Sequence, residues 1–185
     1  MHVHESSTLI TPLEGMIKDR QSVTADWQPV GRDRIDGVEI VQIRPVTKRA
    51  GVLTEVFRAE WCDGPVGQVF QVLLMPGAVS AWHTHVRTID RLFVSSGSLT
   101  LALYDGRRDS STAGRVNEMH LSIARPELVI VPAGVWHGVM ATSHNPTLLL
   151  NLPSAGYDYA DPDHYRLPDD TSQIPYRFQR GNAIA

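Results

Sequence analysis

The chain has 185 residues, 42% hydrophobic and 20% charged, with 17 basic and 20 acidic side chains and a formal charge of -3. That length predicts one domain with a proper core, and that composition excludes general disorder. With no surplus of positive charge to neutralise phosphates, a nucleic-acid partner is not expected.

Residues 1–36 are mixed and polar, broken by Pro12, Gly15, Pro29 and Gly31, with only Leu9, Ile10, Leu13, Met16 and Ile17 as a weak apolar face. They read as an arm that adds a strand to a sheet edge, its own or a partner's. A core over 37–153 follows as short strands punctuated by turns. Strands are predicted at 38–43, 52–59 and 69–75. Arg91–Ser95 and Ser98–Tyr104 around Ser96-Gly97 give the strongest hairpin signal. Further strands are predicted at 116–123, 128–131, 135–141 and 147–152. The tail, 154–185, is rich in Tyr, Asp and Pro, too broken for a regular element and too aromatic for a linker, so it is expected to pack on the core.

The 14 glycines and 12 prolines, scattered along the chain, favour an all-β fold. The single Cys62 excludes an internal disulfide framework and fits a reducing compartment. No apolar run is long enough to cross a bilayer, and the start MHVHESS lacks signal-peptide character, so a cytoplasmic protein without membrane contact is expected.

Of the 8 histidines, three stand in a pattern. In PGAVSAWHTHVRTIDRLFVSSG, His83 and His85 sit at i and i+2, so on a strand both face one way. Asp90 has the wrong parity and joins them only if residues 86–89 turn the chain, so that Asp90 begins the next strand. In VPAGVWHGV, His137 follows a Pro132-Ala133-Gly134 turn and supplies a third imidazole. Three imidazoles and a carboxylate suit a divalent ion such as Fe, Mn, Ni or Zn, against the alternative of ordinary core histidines. Trp82 and Trp136 face away from the pocket on regular strands. His2 and His4 repeat the spacing at a terminus, where disorder explains them better, and His120, His144 and His164 show no partner.

The patterns Gly77-x5-His83-x-His85-x4-Asp90-x6-Gly97 and Pro132-x-Gly134-x2-His137 resemble the two motifs of the cupin superfamily. Over about 35–178 the chain is most similar to the dTDP-4-dehydrorhamnose 3,5-epimerase (RmlC-like) family, through IDGVEIVQIRPVTKRAGVLTEVFR, LVIVPAGVWHGVMATS and the tail YDYADPDHYRLPDDTSQIPY. The resemblance implies a double-stranded β-helix, or jelly roll, dimeric through exchange of N-terminal strands. It also implies action on 4-keto-6-deoxy sugars carried by a nucleoside diphosphate. The family's catalytic histidine falls on His83, the aspartate that orients it on Asp170 and its second pocket histidine on His137. Abstraction of a proton α to a ketone suits an imidazole held by a carboxylate.

Three family side chains are replaced: an arginine by Ser80, a lysine by Asp90 and the general-acid tyrosine by a leucine within 148–150. Leucine donates no proton, which weighs against double epimerisation. An anion in place of a lysine needs a cation, and His83, His85, Asp90 and His137 are the candidate ligands of a divalent metal acting as Lewis acid. A metal-bound His83 is no longer a base. Arg49, at the family's phosphate-contacting turn, and Arg58 are candidate diphosphate contacts, with ordinary surface charge the alternative. Tyr157 and Tyr159 are candidates for the pocket mouth, with packing the alternative. The expected function is a homodimeric, metal-binding cupin that isomerises or epimerises a keto-sugar or similar small carbonyl compound. The rivals are an Fe(II)-dependent dioxygenase and a non-catalytic sugar-binding cupin.

Overall fold

A computed structural model describes residues 11, 13–19, 21–27, 30 and 34–179. His2, His4, Leu9 and Ile10 lie outside the described residues. The chain divides into two units, 1–32 and 33–185. In the first, the Met16 amide bonds to the Leu13 carbonyl and the Trp27 amide to that of Thr24, each at 3.0 Å, closing two tight turns.

Among its described residues the second unit holds twelve strands: β1 (Glu39–Gln42), β2 (Val46–Lys48), β3 (Gly51–Leu53), β4 (Phe70–Leu74), β5 (Val79–Thr84) and β6 (Asp90–Ser96), then β7 (Ser98–Asp105), β8 (Val116–Ser122), β9 (Glu127–Val131), β10 (Val135–Ala141), β11 (Thr147–Asn151) and β12 (Tyr165–Arg166). Two five-stranded antiparallel sheets, ordered β1-β9-β6-β11-β4 and β12-β5-β10-β7-β8, form the two layers, and β2-β3 is a separate hairpin. The architecture is the all-β jelly roll. Inward residues at alternate positions (Leu92, Val94, Leu99, Leu101, Leu103, Val129, Val131) make the main core, as period-2 strands with one buried face require.

The strongest hairpin signal does not form a hairpin. β6 pairs with β9 and β11, whereas β7 pairs with β10 and β8, so the chain changes sheet at Gly97. A single residue between strands is too short for a two-residue hairpin turn, and local sequence does not distinguish a hairpin from a corner between layers. Gly97 has φ of +76°, and a Cβ there would lie 2.7 Å from the Ser143 and Thr147 hydroxyl oxygens. The predicted strand over 52–59 shortens to β3, followed by one turn of 3-10 helix at Ala59–Trp61.

The tail adds a regular element that its composition hides, the two-residue β12, paired with β5 through Tyr165 opposite Thr84 and Arg166 opposite His83. Beyond it, Ile174 and Phe178 pack on Trp82, the latter at 5.6 Å between ring centroids. Trp82 is thereby fully buried on the outer side of β5.

Candidate active site

A cavity of about 510 Å³ opens between the two layers. One wall comes from β5, β10 and β12: Ser80 and His83, His137 and Val139, and Arg166, with His85 just past the end of β5. The opposite wall comes from β4, β6 and β11: Phe70 and Val72, Asp90 and Leu92, Leu149 and Asn151. Each pair is spaced two apart, so strand alternation sends both members inward, and the exception, Ser80, sits at a register irregularity between β5 and β10. The rim is built by tail residues, including Tyr157, Asp163 and His164.

β6 begins at Asp90, because 85–89 leave the strand and turn. The Asp163 carboxylate holds that turn, accepting the amides of Val86, Arg87 and Thr88 at 2.8–3.0 Å and the Thr88 hydroxyl at 2.9 Å. Its backbone carbonyl accepts from Nδ1 of His85. The proton is therefore on Nδ1, and Nε2 of His85 faces Oδ2 of Asp90 at 3.1 Å. Nε2 of His137 faces the same oxygen at 3.2 Å. Both are ion-pair distances without hydrogen-bond alignment, while Oδ1 of Asp90 accepts from the Asn151 amide at 2.9 Å.

These contacts set the charges. Burial pushes the Asp90 pKa up, but the imidazoles of His137 and His85 outweigh it and hold the carboxyl far below the usual carboxylate range. For His85, burial works downward, yet the Asp90 carboxylate and the Asp163 carbonyl raise its pKa, favouring the imidazolium. His83 is driven the other way. Burial, then the charges of His137, Arg166, His164 and His85, lower its pKa to about 3, so the ring is neutral at pH 7. His164, 5.1 Å from His83 and 5.0 Å from His85 between ring centroids, is lowered by burial and by Arg166. Its Nε2 is buried with no hydrogen-bond partner among the described residues.

The structure gathers His83, His85, Asp90, His137 and Tyr157 around one space and leaves other candidates outside it. Asp170 is exposed on the turn after Pro168 and is not among the residues lining the cavity. Arg58 is tied on the surface to Glu55 at 2.6 Å and Glu60 at 3.3 Å, and Arg49 sits exposed on the β2-β3 turn. Tyr159 is 88% exposed and meets Tyr157 edge-on, at 5.2 Å between ring centroids, outside the cavity lining. Sequence reasoning passed over His164, Arg166 and Asp163, because they lie about 80 residues from the histidine motif and join it through β12. Their one sequence signal is membership of the aromatic, acidic tail.

A family model described as dTDP-4-dehydrorhamnose 3,5-epimerase matches residues 32–184. The chain belongs to that family. It is 35% identical over 139 residues to a probable low-salt glycan biosynthesis epimerase of Haloferax volcanii, covering 74% of this chain and 89% of that protein. It is 28% identical over 145 residues to a spore coat polysaccharide biosynthesis protein of Bacillus subtilis, covering 78% and 96%. Among solved structures, a dTDP sugar isomerase from Desulfovibrio desulfuricans superposes with a TM-score of 0.73 at 26% identity, covering 77% of this chain and 90% of that one.

Membership corrects the expected divalent cofactor, because epimerases of this family act without a metal. The geometry explains how Asp90 is accommodated otherwise. His85, Asp90 and His137 converge, but as an anion between imidazoles and the Asn151 amide. His83, whose ring centroid is 5.8 Å from that of His137, faces the cavity beside them and completes no four-ligand set. The Asp90 carboxylate is thus met by His85, whose proton affinity it raises.

Proposed function

We propose that this protein enolises a keto-sugar linked to a nucleoside diphosphate, as an isomerase or epimerase in glycan biosynthesis. The observation that carries the reading is the neutral imidazole of His83, turned into a cavity of about 510 Å³ in a chain of this family. Its free lone pair takes the proton α to the ketone. Arg166 and Arg87 at the rim are the diphosphate contacts, in place of Arg49 and Arg58. A bound diphosphate offsets the Arg166 charge that lowers the His83 pKa, so substrate makes His83 a stronger base.

A homodimer in the cytoplasm is part of the proposal. It is supported by the exposed Leu73 of edge strand β4 and the flanking Val69 and Met75, which form an apolar face for a second copy. Among the described residues, no helix is long and apolar enough to cross a membrane.

Incubation with dTDP-4-keto-6-deoxyglucose in D2O, followed by proton NMR, is the test. Loss of the proton next to the ketone is expected, slowed at least about 100-fold in His83→Asn. Intact protons across dTDP- and UDP-linked 4-keto sugars, with the nucleotide sugar bound and recovered unchanged, would establish a binding protein instead.

A further inference from the structure

We propose that the enolate is reprotonated from the face on which it was formed, so that the ketone moves to the neighbouring carbon and no ring carbon is inverted. This rests on the reading that the cavity enolises a keto-sugar. It follows from an asymmetry between the two walls. A flat enediol lying between the layers presents one face to each sheet. Inversion needs proton transfer at both faces, whereas a positional shift needs it at one.

The wall from β5, β10 and β12 carries His83 and His137, with His85 and His164 at its edge. The facing wall is apolar over Phe70, Val72, Leu92 and Leu149. Its two polar groups are bound to each other or to the imidazoles: Asn151 donates to Asp90, and the Asp90 carboxylate lies between His85 and His137. A carboxylate in that setting and an amide donate no proton to carbon. Leu149 is the inward member of the leucine run, since Leu148 and Leu150 do not line the cavity. It belongs to the 148–150 run that the family resemblance sets against the general-acid tyrosine. The remaining lining phenol, Tyr157, is half exposed at the rim, edge-on to Tyr159 and held through its own amide to Oε1 of Gln68 at 3.0 Å.

The chemistry balances without a further reactant. The C–H bond at the hydroxyl-bearing carbon next to the ketone breaks toward the His83 imidazole, and its electron pair forms the C=C bond of an enediol as the carbonyl oxygen takes a proton. The hydroxyl O–H bond at the first carbon then breaks to form the new C=O. The C=C pair takes a proton at the former carbonyl carbon from the same imidazole wall. One carbon is oxidised, its neighbour is reduced, and the molecular formula is unchanged.

The test uses dTDP-4-keto-6-deoxyglucose labelled with carbon-13 at C4 and follows the product by carbon NMR. The expected result is transfer of the label from a ketone to a hydroxyl-bearing carbon with the ketone now at C3, in at least about tenfold excess over any epimer. A product still ketonic at C4 but inverted at C3 or C5 overturns this inference and leaves enolisation standing. Unchanged carbon signals with no exchange from D2O overturn enolisation and the inference together. Leu149→Tyr places a phenol on the apolar wall and is expected to add an inverted product that the natural chain does not make. A folded, active Leu149→Tyr protein giving only the ketone shift counts against the assignment of that wall.

Discussion

His83 and His85 stand two residues apart yet are driven in opposite directions. His83 loses its proton affinity to burial and to neighbouring charges, with a pKa of about 3, whereas His85 gains affinity from Asp90 and Asp163. Stability inherits both signs. Below its unfolded pKa of about 6.5, the unfolded His83 binds a proton that the folded one refuses, so folding loses stability as pH falls from about 6.5 toward 3. His85 contributes stability that is complete below about 6.5 and is lost as pH rises through its raised folded pKa. Thermal melts of His83→Asn are therefore expected to fall less steeply than the natural chain between pH 7 and 4. Parallel acid limbs in the two proteins would refute this account of His83.

Arg91 illustrates the same logic without titration. Fully buried, it donates to the carbonyls of Asp63, Pro65 and Leu152 at 2.7, 3.0 and 3.2 Å and to Sγ of Cys62 at 2.9 Å. Arg91→Met leaves those acceptors bare in the interior, at an expected cost of about 3 kcal/mol measured by urea denaturation.

At the scale of elements, the tail strand governs the site more than its two residues imply. β12 places Arg166 beside His83, and the preceding Asp163 both clamps the turn before β6 and fixes the proton on Nδ1 of His85. Asp163→Ala removes the acceptor of three backbone amides. Turnover is expected to drop about tenfold while circular dichroism stays that of a folded β protein, because the loss is confined to a loop and the histidine it holds. An unchanged rate would show that the turn keeps its shape without the carboxylate.

Across the whole molecule, two sheets of unlike chemistry enclose the cavity, one carrying the imidazoles and Arg166, the other an apolar backing. A nucleotide bound at this rim stabilises the folded state by mass action. Saturating dTDP is expected to raise the melting temperature, and Arg166→Ala to weaken its binding about tenfold. Arg58→Ala is expected to bind as the natural chain does, since that guanidinium is occupied by Glu55 and Glu60. Loss of dTDP binding in Arg58→Ala but not Arg166→Ala would move the diphosphate off this rim.

The all-β class, most strands and the shared direction of His83 and His85 were legible in the linear chain, because period-2 alternation and turn residues are local properties. The need for Asp90 to start a new strand followed from parity alone. Three features were decided only by the fold. The corner at Gly97 depends on which distant strands β6 and β7 pair with. The contribution of Asp163, His164 and Arg166 depends on a two-residue strand docking on β5, and the exposed place of Asp170 on the turn that follows it. The charge reversal at Asp90, which suggests a metal when read along the chain, is met in space by imidazoles. Composition and spacing carry the kinds of groups present, but their countercharges and the face of substrate they meet come from contacts between residues remote in sequence.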